Sequence, residues 1–207
     1  MNIPIVYEDD WLLVLDKPSG LLTIPAPKKE SRTLTGILNQ DLEQRKLPYR
    51  LHPCHRLDRE TSGLIIYAKG KSMQQKMMDL FKQKKINKNY IVFVSGRLSN
   101  KEGQIKSLIE GRNAVTNFRV VEDRNGFSVV EAVPLTGRTN QLRIHFKIMG
   151  HPVLGESKFA FRKDFKIKAK RLCLHAAFLE FIHPITNKKI SLEAKLPDEL
   201  LGFLRVH

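Results

Sequence analysis

Cysteine is scarce: Cys54 and Cys173 are the two in 207 residues, too few for a disulfide framework. A chain of this length needs none, because a domain of this size buries roughly 70% of its unfolded surface. Both thiols are expected to be reduced, as in a cytoplasmic protein. Long apolar runs are also missing. Stretches such as Gly63-Leu64-Ile65-Ile66-Tyr67-Ala68 fall far short of the roughly 20 residues that cross a bilayer. Glu8, Asp9 and Asp10 interrupt the opening before the apolar core of a signal peptide could develop. No Pro/Gly/Ser-rich linker, repeat or low-complexity tract divides the chain, so residues 1–207 are read as a single domain. Acid is the last scarcity: 21 Asp and Glu stand against 36 Lys and Arg, a net charge of +15.

That excess points to a polyanionic partner, and for a folded domain most often to nucleic acid. It is concentrated in two places. Lys69, Lys71, Lys76, Lys82, Lys84, Lys85 and Lys88 form one cluster, with Asp79 among them. Lys158, Arg162, Lys163, Lys166, Lys168, Lys170 and Arg171 form the other, relieved by Asp164. Either alone reads as a solvated face. Two clusters and a large net excess favour nucleic acid. Neither pairs its lysines with a long apolar helical face, which argues against a membrane surface.

Patterning predicts two strands over residues 3–15 around a turn at Glu8-Asp9-Asp10, then turn chemistry at Lys17-Pro18-Ser19-Gly20 and an extended run over 21–25. Thr33 or Thr35 can cap a helix bearing Leu34, Ile37, Leu38 and Leu42. A polar stretch over 47–63 leads into a strand at 64–67. Ser72 is expected to cap a helix with Met73, Met77, Leu80 and Phe81 on its core face. Strands are expected over 90–94, 116–121, 127–135, 172–181 and 189–194. Residues 139–150 fit a helix, since Thr139 or Asn140 can cap it, Gly150 can close it and Pro152 forbids continuation. Many strands, few helices and no βαβ rhythm imply an α+β fold on a largely antiparallel sheet.

The densest chemistry lies in His52-Pro53-Cys54-His55-Arg56-Leu57-Asp58-Arg59-Glu60-Thr61-Ser62-Gly63. His, Cys and Asp are metal-ligand types, but no second cluster completes a coordination sphere, so no metal is expected. A Cys54–His55 nucleophile pair lacks an evident orienting group. A plain polar loop capped by Asp58 is the structural alternative. The order of residues favours chemistry: Arg56 and Arg59 bracket Asp58, and nearby guanidinium groups keep a carboxylate ionised. The same arginines offer cations to phosphates.

The stretch His55-Arg56-Leu57-Asp58-Arg59-Glu60-Thr61-Ser62-Gly63-Leu64 resembles the signature of the RluA-type pseudouridine synthases. Further matches follow in that family's order. They are Asp16-Lys17-Pro18-Ser19-Gly20-Leu21, Lys88-Asn89-Tyr90, and Gly137-Arg138-Thr139-Asn140-Gln141-Leu142-Arg143-Ile144-His145. His151-Pro152-Val153-Leu154-Gly155-Glu156 and Leu172-Cys173-Leu174-His175-Ala176 complete the set, so the resemblance covers nearly the whole chain. Asn140 departs from the family's usual His without replacing the motif's arginines, and Cys54 stands where an aliphatic residue is common.

The resemblance implies a pseudouridine-synthase-like catalytic domain, a largely antiparallel mixed sheet flanked by helices. It implies isomerisation of a uridine in ribosomal or transfer RNA without cofactor or metal. Asp58 matches the essential aspartate, Tyr90 the tyrosine that stacks on the target base, Arg143 the basic partner of the aspartate, and Arg56 the arginine that replaces the flipped base. The small RNA-binding domain that precedes the catalytic domain in many members is expected to be absent, because the first motif begins close to Met1. A non-catalytic RNA-binding protein on the same scaffold would fit the charge equally well, but needs no carboxylate chemistry. A glycosidase needs two flanking carboxylates, and Glu60 is the one nearby candidate.

Overall fold

The computed structural model describes residues 3–25, 32–161 and 165–207. Arg162, Lys163 and Asp164 of the second basic cluster lie outside them. Two compact units divide the chain: residues 1–87 with 178–194, and residues 88–177 with 195–207.

In the first unit, β1 (Ile5–Glu8) and β2 (Leu12–Lys17) form the expected hairpin, with Glu8 paired to Leu13. Asp9 shapes its turn by accepting the Trp11 and Leu12 N–H groups at 2.8 and 2.7 Å. Thr33 caps α1 (Leu34–Gln44), its Oγ1 accepting from the Gly36 N–H at 3.1 Å. Inside the expected polar stretch lies a short strand, β3 (Leu51–Pro53), that pairs antiparallel with β4 (Ser62–Lys69). Buried Asn39 of α1 brackets Leu51, donating to its carbonyl and accepting its N–H at 3.0 and 2.8 Å. β4 also pairs with β2 and is buried along nearly its whole length, so it reads as a continuous apolar run rather than an alternation.

Helix α2 (Lys71–Lys82) sends Met73 and Met77 into the core with Leu12, Leu64 and Ile66. Its N-cap is Gly70, not Ser72, and no side chain caps it. The helix begins two residues earlier than expected because Gly70, at φ 104°, turns the chain straight out of β4.

In the second unit, β5 (Ile86–Ser95; its first two residues belong to the first unit), β8 (Phe127–Pro134), β7 (Arg112–Arg124) and β6 (Glu102–Ile109) lie in that order as an antiparallel meander. β6, which the patterning does not predict, joins β7 through Glu110 and Gly111 at φ 50° and 72°, the positive pair that a tight hairpin turn requires. The two faces of β5 are both covered. Val92 and Val94 pack with Leu142 and Phe146 of α3 (Gln141–Ile148), while Phe93 packs with Leu200 and Phe203 of α4 (Asp198–Val206). The chain also forms β9 (Leu174–Ile182) and β10 (Lys189–Glu193), paired antiparallel from Phe178 onward in the first unit. These antiparallel ladders with four helices among the described residues make the α+β fold expected from the sequence.

Candidate active site

Asp58 and Arg56 lie on the loop between β3 and β4 of the first unit, Arg56 exposed and Asp58 half-buried between buried Leu57 and exposed Arg59. That loop is pinned from below by the turn that follows β2. The Lys17 side chain is fully buried, and its ammonium donates to the carbonyls of Pro18, Leu21 and Arg59 at 2.9, 2.7 and 3.1 Å. Gly20 N–H donates to the same Arg59 carbonyl at 2.8 Å, and Ser19 Oγ donates to the Glu60 carbonyl at 2.7 Å. Thr23 Oγ1 donates to the Leu57 carbonyl and accepts the Leu57 N–H, at 3.1 and 3.3 Å. Peptide groups on both sides of Asp58 are thereby fixed, those after it by Lys17, Ser19 and Gly20 of the first motif and those before it by Thr23 just beyond that motif. The Asp58 carbonyl itself closes the loop by accepting from Thr61 N–H at 3.2 Å.

This brace leads to a prediction. Lys17→Met keeps the length of the side chain but takes the ammonium from the Pro18 and Leu21 carbonyls, each costing about 1–3 kcal/mol when buried and unpaired, while the Arg59 carbonyl keeps the Gly20 N–H. The melting temperature is expected to fall by at least about 4 °C, since 1 kcal/mol moves a domain of this size by about 2–4 °C. A melting curve superimposable on the wild type would show that the brace holds nothing.

The other candidate chemistry of the loop is taken up by structure. His55 Nε2 accepts the Ile66 N–H at 3.1 Å, which spends the lone pair a metal would need. Burial pushes the Cys54 thiol up to about 12, so it is a packed hydrophobe rather than a thiolate nucleophile at neutral pH. Among the described residues no group of three or more His, Cys, Asp or Glu side chains is arranged to hold a metal. Cys173 is likewise unbridged, and burial pushes it up to about 12 as well.

Tyr90 and Arg143 belong to the second unit. Tyr90, on β5 opposite Ala132, is half-buried against the cluster that holds Leu142 and Phe146. Burial lowers the ammonium pKa of its motif neighbour Lys88 from the ordinary value. Arg143 lies in the first turn of α3, as expected, but the helix is not capped by a side chain. Asn140 takes the cap position in the left-handed conformation at φ 55°. Gln141 anchors the helix start instead: its Oε1 accepts from Thr136 Oγ1 and Arg138 N–H at 2.6 and 3.0 Å. Its Nε2 donates to the Val115 carbonyl and Thr116 Oγ1, both at 3.0 Å. His145, one turn on, is fully buried with Nδ1 2.9 Å from Thr116 Oγ1, and burial lowers its pKa.

The Arg143 guanidinium makes a two-pronged ion pair with Glu156: Nε donates to Oε2 and Nη2 to Oε1, both at 2.7 Å. Glu156 was visible in the sequence as part of a motif, but nothing in its spacing announced a partner thirteen residues back. Lys17 was equally hidden, because a lysine is ordinarily read as surface.

Residues 11–147 match the model of a family described as RNA pseudouridylate synthase. The chain is 33% identical to the uncharacterized RNA pseudouridine synthase YlyB of Bacillus subtilis, over 97% of this chain and 71% of the relative. It is 33% identical to the dual-specificity RNA pseudouridine synthase RluA of Haemophilus influenzae, over 93% of each chain. The chain belongs to the RNA pseudouridylate synthase family. Within it, the likeness to RluA-named relatives makes it an RluA-type enzyme, an isomerase acting on RNA. The fold of this pseudouridine synthase is also that of human RNA pseudouridylate synthase domain containing 4. The TM-score there is 0.81, at 24% identity over 97% of this chain and 92% of the human one.

Proposed function

We propose that the enzyme converts a particular uridine of ribosomal or transfer RNA into pseudouridine, with Asp58 as its essential carboxylate. The observation that carries this reading is the brace on the Asp58 loop. Backbone groups of Leu57, Arg59 and Glu60 are held by Lys17, Ser19, Gly20 and Thr23. A reacting group must be held close to its productive position, and a fixed loop does this for a short side chain.

The reaction is an isomerisation. The bond from ribose C1′ to ring N1 breaks, a bond from C1′ to ring C5 forms, and the proton on C5 leaves as N1 gains one. Oxidation state and atom count are unchanged, so the chemistry itself calls for no redox cofactor. A uridine in a stacked RNA must first leave the stack, at a cost of a few kcal/mol. In this reading Tyr90 offers its ring to the uracil, where stacking returns about 1–3 kcal/mol. Exposed Arg56 fills the gap left in the RNA, and Arg143 brings the positive charge that the resemblance gives it. RNA as partner agrees with the net charge of +15. No helix among the described residues is long and apolar enough to cross a membrane. A cytoplasmic location belongs to the same reading, since ribosomal and transfer RNA are abundant there.

Carbodiimide mapping of pseudouridines in cells with and without the protein tests the reading. At least one site is expected to disappear with the protein, and an unchanged map would overturn it. Metal independence is a separate expectation: tritium release from RNA carrying 5-tritiated uridine is expected to be undiminished after exhaustive chelation. Loss of activity restored by zinc would return His52, Cys54 and His55 to consideration as ligands.

A further inference from the structure

We propose that Glu156 is the positioning residue of Arg143, holding the guanidinium in one orientation so that it can serve the reaction. The inference rests on the reading of Arg143 as a site residue.

Glu156 and Arg143 are 0% and 4% exposed at their side chains, so both charges are withdrawn from water. Taking two ions out of water costs several kcal/mol each, and an apolar pair of similar volume is commonly as stable or more so. Stability alone is therefore a poor reason for an ion pair at this position. Orientation is a better one, because the guanidinium is held both along its edges and at its face. Two of its nitrogens face the two oxygens of Glu156, Nη1 donates to Asn140 Oδ1 at 3.1 Å, and its face lies 5.3 Å from the centre of the Phe159 ring.

The carboxylate is fixed in its turn. Its Oε1 also accepts the N–H groups of Ser157, Lys158 and Phe159 at 2.9, 2.7 and 3.3 Å, so it builds the turn that lays Phe159 against Arg143. The preceding residue, Gly155, has φ +77°, and a Cβ there would stand 1.9 Å from the Arg171 carbonyl oxygen. The backbone feeding Glu156 is thus pressed against residues 171–172 with no room to shift. Burial works to raise the Glu156 carboxyl, but the Arg143 hydrogen bond, the backbone N–H groups and the Arg143 charge together hold it below its ordinary value. It stays ionised at neutral pH.

The test measures three quantities: single-turnover tritium release at saturating RNA, RNA affinity by filter binding, and the melting temperature. Glu156→Gln is expected to lower the rate about 100-fold with affinity within about threefold, since a misplacement near 1 Å costs a factor of that order. Glu156→Asp, which keeps the charge, is expected to recover part of the loss, to about 10-fold below wild type. In an Arg143→Ala background, Glu156→Gln is expected to add less than about threefold, because a positioning residue has nothing left to position.

A folded Glu156→Gln protein with the wild-type rate overturns the proposal. So does a Glu156→Gln loss that persists in full in the Arg143→Ala background, which marks a role independent of Arg143. If Glu156→Gln does not fold, Glu156→Asp decides alone, and a wild-type rate there overturns it. Should Arg143→Ala itself react at the wild-type rate, the reading of Arg143 fails, and the proposal with it, for a distinguishable reason.

Discussion

Asp58→Asn is expected to abolish pseudouridine formation, by about 10⁴-fold or more, while RNA affinity stays within a few-fold of wild type. The substitution is close to isosteric. It keeps the peptide groups of the loop, to which Lys17, Ser19 and Thr23 donate. What it removes is a carboxylate. Whether that group attacks the sugar or takes a proton during elimination, an amide can do neither at neutral pH, so the prediction does not depend on the choice. Affinity is spared because phosphate contacts supply most of the binding free energy of a protein with this charge. Tritium release reads the chemistry and filter binding reads the affinity. Release from the mutant at the wild-type rate would remove Asp58 from the mechanism. A joint loss of release and affinity would instead make Asp58 a binding residue.

The fold was legible where local chemistry and burial agreed. Thr33 has the side chain a cap needs and is itself extended, and it caps α1. The apolar run of β4 is continuous because neighbours cover it on all sides. Besides the three-residue β3, hidden inside a polar stretch, two elements were missed for different reasons. β6 buries Ile105 and Ile109 but little between them, so its alternation is too sparse to register as a strand. α4 begins after Pro197 with Asp198 and Glu199 in its first turn, a start signal that was present but passed over. Gly70 displaced Ser72 because the chain leaves β4 through a positive φ, which a serine at the cap could not supply.

The candidate site was legible as motifs and illegible as mechanics. His55 through Leu64 named the loop, yet nothing in those residues says that a lysine of the first motif is buried beneath it. Arg143 was placed in the first turn of a helix, but its binding to Glu156 depends on a turn that only the folded chain forms. Such pairings depend on three-dimensional approach, as at Gly155, where contact with the Arg171 carbonyl leaves no space for a side chain. Local pattern carries no record of that.

Replacing Lys166, Lys168 and Lys170 together with Ala is expected to weaken RNA binding and to flatten the slope of log affinity against log salt by up to about 2 units. The three lysines are exposed, while Phe165, Ile167 and Ala169, which alternate with them, pack with the cluster of Phe93, Phe127 and Leu200. The alternation sends every cation of the row outward, whereas a row of lysines serving only the core would not need it. The companion triplet, Lys82, Lys84 and Lys85, is also exposed, but Lys82 already stands 3.6 Å from Asp79. Its replacement is expected to change the slope less, since a cation neutralised by protein releases fewer counterions from RNA. Each phosphate neutralised on single-stranded RNA contributes about −0.7 to the slope, so a loss of three contacts is within reach of the measurement. The modified uridine is expected to stay the same, because backbone contacts position RNA while base and shape contacts select it. Turnover at saturating RNA is expected to hold as well, because these charges bind ground state and transition state alike. Unchanged affinity and slope in both triplet variants would show that the lysines serve solubility and that the RNA runs elsewhere.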